Sequence, residues 1–274
     1  MYVHDFIYHR AGSVEEAVRL MGEAEEGRYL AGGQTLVQTM KQKLAMSSDV
    51  IDLGGIAELR KISAQGDTVQ IGSMIRHAEV AQTPLVLERI PGLAGLAAGV
   101  GDRQVRNMGT LGGSVANSDP AADYPAAVLG LDAVVVTDSR EIEAGDFFVD
   151  LYETALEEGE LIVAIRFRVP MRSAYYKFRH PASSFAMVGA FVAQFPDGFR
   201  VAVTGARPTV FRWQAAEAAL QAVASPEAVA QLDTDGIEDI LSDMHCDETY
   251  RRRLMPVAVR RALDAMNAPD KETD

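Results

Sequence analysis

"YLAGGQTLVQTMKQ", residues 29–42, decides how the N-terminal part of this chain is read. A short apolar run ends in two consecutive glycines, Gly32 and Gly33, and a segment with helical spacing of apolar residues follows. Such a pair makes a tight turn, or it clears side chains away so that the backbone can touch a ligand. The helix is expected from about Leu36, with Thr35 and Gln38 as a capping box and Leu36, Val37, Met40 and Leu44 on its apolar side. Upstream, "SVEEAVRLM" places Ser13 and Glu16 at the spacing of another capping box. "RYLAG", "DVIDL" and "DTVQIG" read as short strands. The first 55 or so residues therefore read as a small β-α-β unit.

A second glycine cluster, "GTLGGS", lies about 75 residues downstream. Gly109, Gly112 and Gly113 sit there among Thr110, Ser114, Asn117 and Ser118, whose hydroxyls and amide can add donors toward phosphate or ribose oxygens. A ligand shared by both clusters would be long and would lie in a cleft between subdomains. Neither cluster has the lysine of a P-loop or the G-x-G-x-x-G spacing of a dinucleotide fold.

Between the clusters the pattern is helical from about residue 75 to 100. Beyond them, Asp119 followed by Pro120 signals a helix start, and "DAVVVTD" and "ELIVAIRFRVP" suit buried strands. After Pro170, "SFAMVGAFVAQF" and "FRVAVTGA" read as antiparallel strands joined at "PDG". Helices are expected at about 213–224, 226–241 and 248–266, with a domain boundary near 170–174 and a frayed tail at "NAPDKETD".

The chain has 274 residues, 48% of them apolar, and a formal charge of −13, which suits a globular protein and argues against a nucleic-acid partner. An acidic protein still holds an anion where backbone N–H groups supply local positive potential. No apolar run reaches the length of a membrane span and "MYVHDFIYHR" lacks the apolar region of a signal peptide, so the expected location is the cytoplasm. The single cysteine, Cys246, excludes an iron–sulfur cluster held by four thiolates of this chain. The five histidines show no metal-ligand spacing, and no nucleophile–base motif is present.

"AGGQTLVQTMKQKL", "RNMGTLGGSVANSDPAADYPAAVLGLDA", "YYKFRHPASSFAMVGA" and "YRRRLMPVAVRRAL" follow one another in an order that resembles the FAD-binding medium subunit of molybdenum hydroxylases, the carbon monoxide dehydrogenase and xanthine dehydrogenase type. The resemblance covers nearly the whole chain. It implies an α+β fold: a two-subdomain FAD-binding domain of the vanillyl-alcohol-oxidase (PCMH) type over 1–172, with subdomains of about 1–55 and 56–172, then a small α+β domain over 173–274.

By the same resemblance Ala31, Gly32, Gly33, Gln34 and Thr35 grip the FAD pyrophosphate, with Gln and Thr where the family usually has His and Ser. Thr110, Gly112, Gly113 and Ser114 lie along the flavin and ribityl chain, Ser114 standing for the usual Asn, and Asn117 and Asp123 reach FAD hydroxyls. Asp119 is a ligand or a helix cap. Lys177 is a residue near the cofactor or a solvated charge, Phe185 an aromatic near the flavin or a strand core residue, and Leu161 a flavin contact or a buried strand residue. The implied role is electron transfer, from iron–sulfur clusters on a small subunit to FAD and out to NAD, a quinone or oxygen. A large molybdopterin subunit would perform the hydroxylation, in a dimer of heterotrimers. A stand-alone flavin oxidase of the same fold and a non-catalytic nucleotide-binding module are the rival readings.

Overall fold

The computed structural model describes residues 3–268; the expected frayed tail falls mostly on 269–274, outside the described residues. The chain opens with β1 (Ile7–Arg10), α1 (Val14–Glu23), β2 (Gly27–Leu30), α2 (Leu36–Lys41) and β3 (Asp49–Asp52), whose strands form a parallel sheet in the order β1-β3-β2. Ser13 caps α1 by accepting from the Glu16 N–H, while the Glu16 carboxylate accepts from the N–H of Gly12 instead of Ser13.

The capping box expected at Thr35 and Gln38 does not form: the Thr35 side chain makes no capping bond. Helix α2 stops after six residues. Lys43 takes a left-handed backbone (φ +59°), which turns Leu44 off the helix face and leaves it 75% exposed instead of buried.

The middle part contains β4 (Ile62–Gln65), β5 (Thr68–Gly72), α3 (His77–Gln82), α4 (Pro84–Arg89), α5 (Pro91–Ala98), α6 (Arg103–Met108), α7 (Leu111–Asn117), α8 (Tyr124–Gly130), β6 (Val134–Thr137), β7 (Glu141–Glu143), α9 (Ala144–Phe147), β8 (Phe148–Asp150), β9 (Glu153–Thr154) and β10 (Ile162–Arg168). Its main sheet runs β4-β5-β10-β6-β7, antiparallel throughout, and β8 and β9 form a separate hairpin. The helical stretch expected over 75–100 is three short helices. Pro84 and Pro91 each start a new one, because proline fits the first turn and breaks an interior.

The chain ends with β11 (Arg172–Arg179), β12 (Ala186–Phe195), β13 (Gly198–Thr204), β14 (Phe211–Arg212), α10 (Gln214–Ala222) and α11 (Glu248–Asn267), the strands forming an antiparallel sheet in that order. The "PDG" turn joins β12 to β13, with Gly198 at φ +130°. Alternation along β12 splits its side chains between two cores. Val188, Ala190 and Val192 pack with α10 and α11, while Phe191, Ala193 and Phe195 join the core of the middle part. The helix expected over 226–241 is a single 3-10 turn, Pro226–Val229, followed by irregular chain. Asp233 accepts from the N–H of Asp235, and this local turn, followed by Gly236, competes with helix.

A third core of Ala11, Ala17, Ile51, Leu53, Leu59, Met74 and Leu161 joins the N-terminal sheet to the middle part. It fixes the relative position of the two glycine segments.

Candidate functional site

The two glycine segments meet. A Cβ on Gly32 would lie 2.3 Å from the carbonyl oxygen of Met108 and 2.7 Å from Cα of Gly109, so only glycine allows this backbone-to-backbone contact. A Cβ on Gly113 would lie 3.6 Å from Cβ of Ala31. Segments distant in sequence are thus in van der Waals contact, not on opposite sides of a wide cleft.

The first bend is chemically open. Gly33 turns the chain with φ +69°, and among the described residues nothing accepts a hydrogen bond from the N–H of Gly32, Gly33, Gln34, Thr35 or Leu36. The next bond in the chain, from Val37 N–H to the Gly33 carbonyl (3.2 Å), starts the α2 ladder. A run of free N–H groups around a left-handed glycine makes a concave, positively polarised surface suited to an anion. Gln34 and Thr35 are exposed, and the Gln34 amide reaches only the Gly32 carbonyl, at 3.5 Å.

The second bend is closed. Gly112 and Gly113 are helical residues in the first turn of α7. Leu111 N–H donates to Ile75, Gly112 N–H to Ser73, Gly113 N–H to the Thr110 hydroxyl (3.2 Å) and Ser114 N–H to the Thr110 carbonyl. Thr110 is buried and acts as the N-cap. Gly112 is glycine for packing, since a Cβ there would stand 2.4 Å from Cβ of Ser73. What α7 offers outward is exposed Gly113 and, beside it, half-buried Ser114 and Asn117, whose side chains make no hydrogen bond within the described residues.

Asp119 does not start a helix. Its carboxylate accepts from the N–H of Ala121 (2.9 Å) in a local turn, and α8 begins only at Tyr124, with Pro125 in its first turn. The Tyr152 hydroxyl reaches the other Asp119 oxygen at 3.4 Å, and burial raises the pKa of this carboxyl.

Asp123 and Lys177 pair with each other. Lys177 Nζ donates to Oδ2 at 2.6 Å, the Tyr175 hydroxyl donates to Oδ1 at 2.5 Å, and both charged side chains are 4% exposed. Lys177 is therefore not a solvated charge. Burial pushes the Asp123 carboxyl up and the Lys177 ammonium down, and each is opposed by the other's charge. Phe185 precedes β12 and is 47% exposed, so it is not a strand core residue, whereas Leu161 is buried in the core described above.

Several residues around the site carried no sequence signal. Ser73 and His77 lie directly behind α7 and Gly109, and Ser73 Oγ, His77 Nδ1 and the Tyr124 hydroxyl are buried without partners. Burial, with the Arg106 charge nearby, lowers the His77 pKa to about 4. Tyr175 reaches Asp123 because Gly189, which pairs with Lys177 on the neighbouring strand, leaves room: a Cβ there would stand 2.4 Å from the phenol oxygen. No group of three His, Cys, Asp or Glu among the described residues could hold a metal ion. An open cleft of about 500 Å³ lined by Arg207, Phe211 and Trp213 takes no residue from either bend.

Residues 4–171 match the family described as the FAD binding domain in molybdopterin dehydrogenase. The carbon monoxide dehydrogenase medium chain of Hydrogenophaga pseudoflava is 34% identical over 95% of this chain and 96% of its own length. The nicotine 6-hydroxylase medium subunit of Paenarthrobacter nicotinovorans is 33% identical over 93% and 95%. The solved carbon monoxide dehydrogenase of Hydrogenophaga pseudoflava that lacks the Mo-pyranopterin moiety superposes with a TM-score of 0.87, covering 97% of this chain and 98% of that one. With its fold, its paired glycine bends and these likenesses in agreement, the chain belongs to the family of FAD-binding medium subunits of molybdenum hydroxylases.

Proposed function

We propose that this chain is the electron-transfer subunit of a molybdenum hydroxylase and holds FAD between its two glycine bends. The observation that carries the site is the run of unpaired N–H groups from Gly32 to Leu36, pressed against Gly109 and facing a helix with free polar side chains. These amides fit a pyrophosphate, the one strongly anionic part of FAD. Ala31 and Gly113 leave the approach clear, and the Ser114 hydroxyl and Asn117 amide serve ribityl or ribose hydroxyls. Gln34 and Thr35 contribute mainly backbone, so their departures from the usual His and Ser are compatible with binding.

Thr110 and Gly112 brace the helix that presents those groups. The Asp123–Lys177 pair ties the start of α8 to β11, and exposed Phe185 is available to the ring end of the cofactor. Leu161 acts through the core. FAD, when bound, supplies the redox chemistry of the subunit. The protein groups bind it, orient it and set its electrostatic surroundings.

The chain has one cysteine, buried Cys246, so iron–sulfur clusters belong to a separate small subunit, and in this reading the molybdopterin sits on a large one. A dimer of heterotrimers, an external acceptor such as NAD, a quinone or oxygen, and a cytoplasmic location complete it. No described helix is long and apolar enough to cross a membrane. The division at 172/173 goes with this reading, since β11 and its sheet begin at Arg172.

The test is the visible spectrum of the purified chain. A flavin spectrum that bleaches with substrate only when the partner subunits are added is the expected result. A colourless folded protein that ignores added FAD refutes the assignment.

A further inference from the structure

The segment "YRRRLMPVAVRRAL", residues 250–263, has no role in the reading above, yet it contains an unusually placed charge. Arg251, in the first turn of α11, is 4% exposed, while Arg252 is half-buried and Arg253 exposed. Its guanidinium donates to the backbone carbonyls of Met187, Gly205 and Cys246 and to the carboxylate of Asp243. Three of its four acceptors are therefore main-chain oxygens. Two of them lie on neighbouring strand ends, Met187 in β12 and Gly205 just after β13.

These strand ends hold the chain that leaves the candidate cofactor helix. Gly205 N–H donates to the Pro120 carbonyl (2.8 Å) and Ala186 N–H to the Ala121 carbonyl (3.2 Å). The Thr204 hydroxyl reaches the carbonyls of Pro120 (3.0 Å) and Ala122 (2.8 Å). Every carbonyl from 120 to 122 is thus bound by the C-terminal sheet. Gly205 sits at φ +78°, and a Cβ there would stand 2.7 Å from the Ala186 carbonyl, so the two strand ends approach as closely as backbone permits. Helix α7 has only seven residues. Its N-terminal end is tied to Ser73 and Ile75, and its C-terminal end is set by the reversal at Ser118 (φ +45°) and the loop that follows.

We propose that Arg251 is a positioning residue for the cofactor site: by gathering the ends of β12 and β13 it fixes loop 118–123, and through it the orientation of Asn117 and Ser114 on α7. This rests on the placement of FAD proposed above. The arginine touches no cofactor. It acts through Gly205, Thr204 and Pro120, and a fixed guanidinium fork suits several carbonyls at once in a way that an ammonium does not.

The test uses the full chain with the subunits it assembles with. The FAD dissociation constant is read from recovery of free-flavin fluorescence, alongside visible circular dichroism of the bound flavin. Arg251→Met should weaken FAD about tenfold, the order expected from losing charge-assisted hydrogen bonds that hold a binding element, and should change the flavin dichroism. Arg251→Lys should recover part of both. Met255→Ala, buried on the same helix, should lower the melting temperature while keeping FAD affinity within about twofold, as a packing loss alone would.

Thr204→Val, which keeps the shape and removes the hydroxyl, should weaken FAD several-fold. It decides the matter if Arg251→Met does not fold. Wild-type FAD affinity and dichroism in Thr204→Val and in folded Arg251→Met overturn the proposal, as do losses no larger than that of Met255→Ala at equal melting temperature. A wild-type protein without FAD overturns the site itself instead.

Discussion

Gly32→Ala tests the contact between the two bends. The new methyl would stand 2.3 Å from the Met108 carbonyl oxygen, 2.7 Å from Gly109 Cα and 2.9 Å from the Met108 carbonyl carbon. Ordinary contact begins at 3.4 Å, so the segments must part by about 3.4 − 2.3 = 1.1 Å at that point. All three opposing atoms are backbone, so no rotamer change relieves the clash, and overpacking of this kind costs about 1–3 kcal/mol of stability. The larger effect falls on the ligand. A cofactor gripped by amides on one segment and by Ser114 and Asn117 on the other cannot keep both sets across an added ångström. Loss of one or two charge-assisted bonds at about 1.5–3 kcal/mol each weakens FAD by roughly a hundredfold. The assay is flavin content per purified chain, with the dissociation constant from titration of the apoprotein. Gly95→Ala is the control: Gly95 is inside α5 with nothing within 4 Å of a new Cβ, so it should stabilise by about 0.5–1 kcal/mol and leave FAD untouched. A Gly32→Ala protein with wild-type melting temperature and FAD affinity refutes the reasoning.

Gly33→Val should abolish FAD retention while leaving most of the fold. The left-handed backbone disfavours any side chain by about 1–2 kcal/mol and a β-branched one by more, and normal flavin content in the folded variant contradicts it. Because His77 titrates near 4 in the fold, against 6.5 for a free imidazole, the unfolded chain takes up its proton first and stability falls as pH drops from about 6.5 to about 4. Denaturant unfolding should show the wild type losing about 3 kcal/mol more than His77→Gln between pH 7 and pH 4, and equal losses exclude it. Lys177→Met strands the buried Asp123 carboxylate and should cost about 3–5 kcal/mol. Asp123→Asn added to it should recover much of that loss in thermal or urea unfolding, and simple additivity argues against a coupled pair.

Residues 29–42 and 109–118 stood out in the sequence as glycine-rich segments, and the structure brings them into contact. Their chemistry was legible only in part. Gly32 and Gly33 do leave backbone amides free, but Gly112 is a packing glycine under Ser73, and no sequence pattern distinguishes the two cases. Strand runs such as "AIRFR" and "AFVAQF" could be read because β-branched and aromatic residues cluster in them. Residues 226–241 were misread: their apolar spacing suits a helix, while Asp233, Asp235 and Gly236 favour local turns. The partners of Asp123 were invisible for another reason, since Tyr175 and Lys177 lie more than fifty residues away and meet it only through the docking of a sheet.

The two bends offer unlike things, and the proposed placement of the ligand rests on that difference. In the second bend the N–H groups of Leu111, Gly112, Gly113 and Ser114 are all committed to protein acceptors, so α7 has no early amide left for a phosphate. In the first bend the N–H groups from Gly32 to Leu36 have no acceptor among the described residues. Within a chain of net charge −13, these amides offer a diphosphate positive potential without a cationic side chain. In the proposed placement the anionic middle of FAD is held by the N-terminal unit. In that placement neutral hydroxyl contacts fall to α7, and exposed Phe185 is left to the ring end. If the phosphate grip is made by backbone, as proposed, the side chains at 34 and 35 are free to vary. The glycine at 32 is not, since it sets both the path of those amides and the distance to the neighbouring bend.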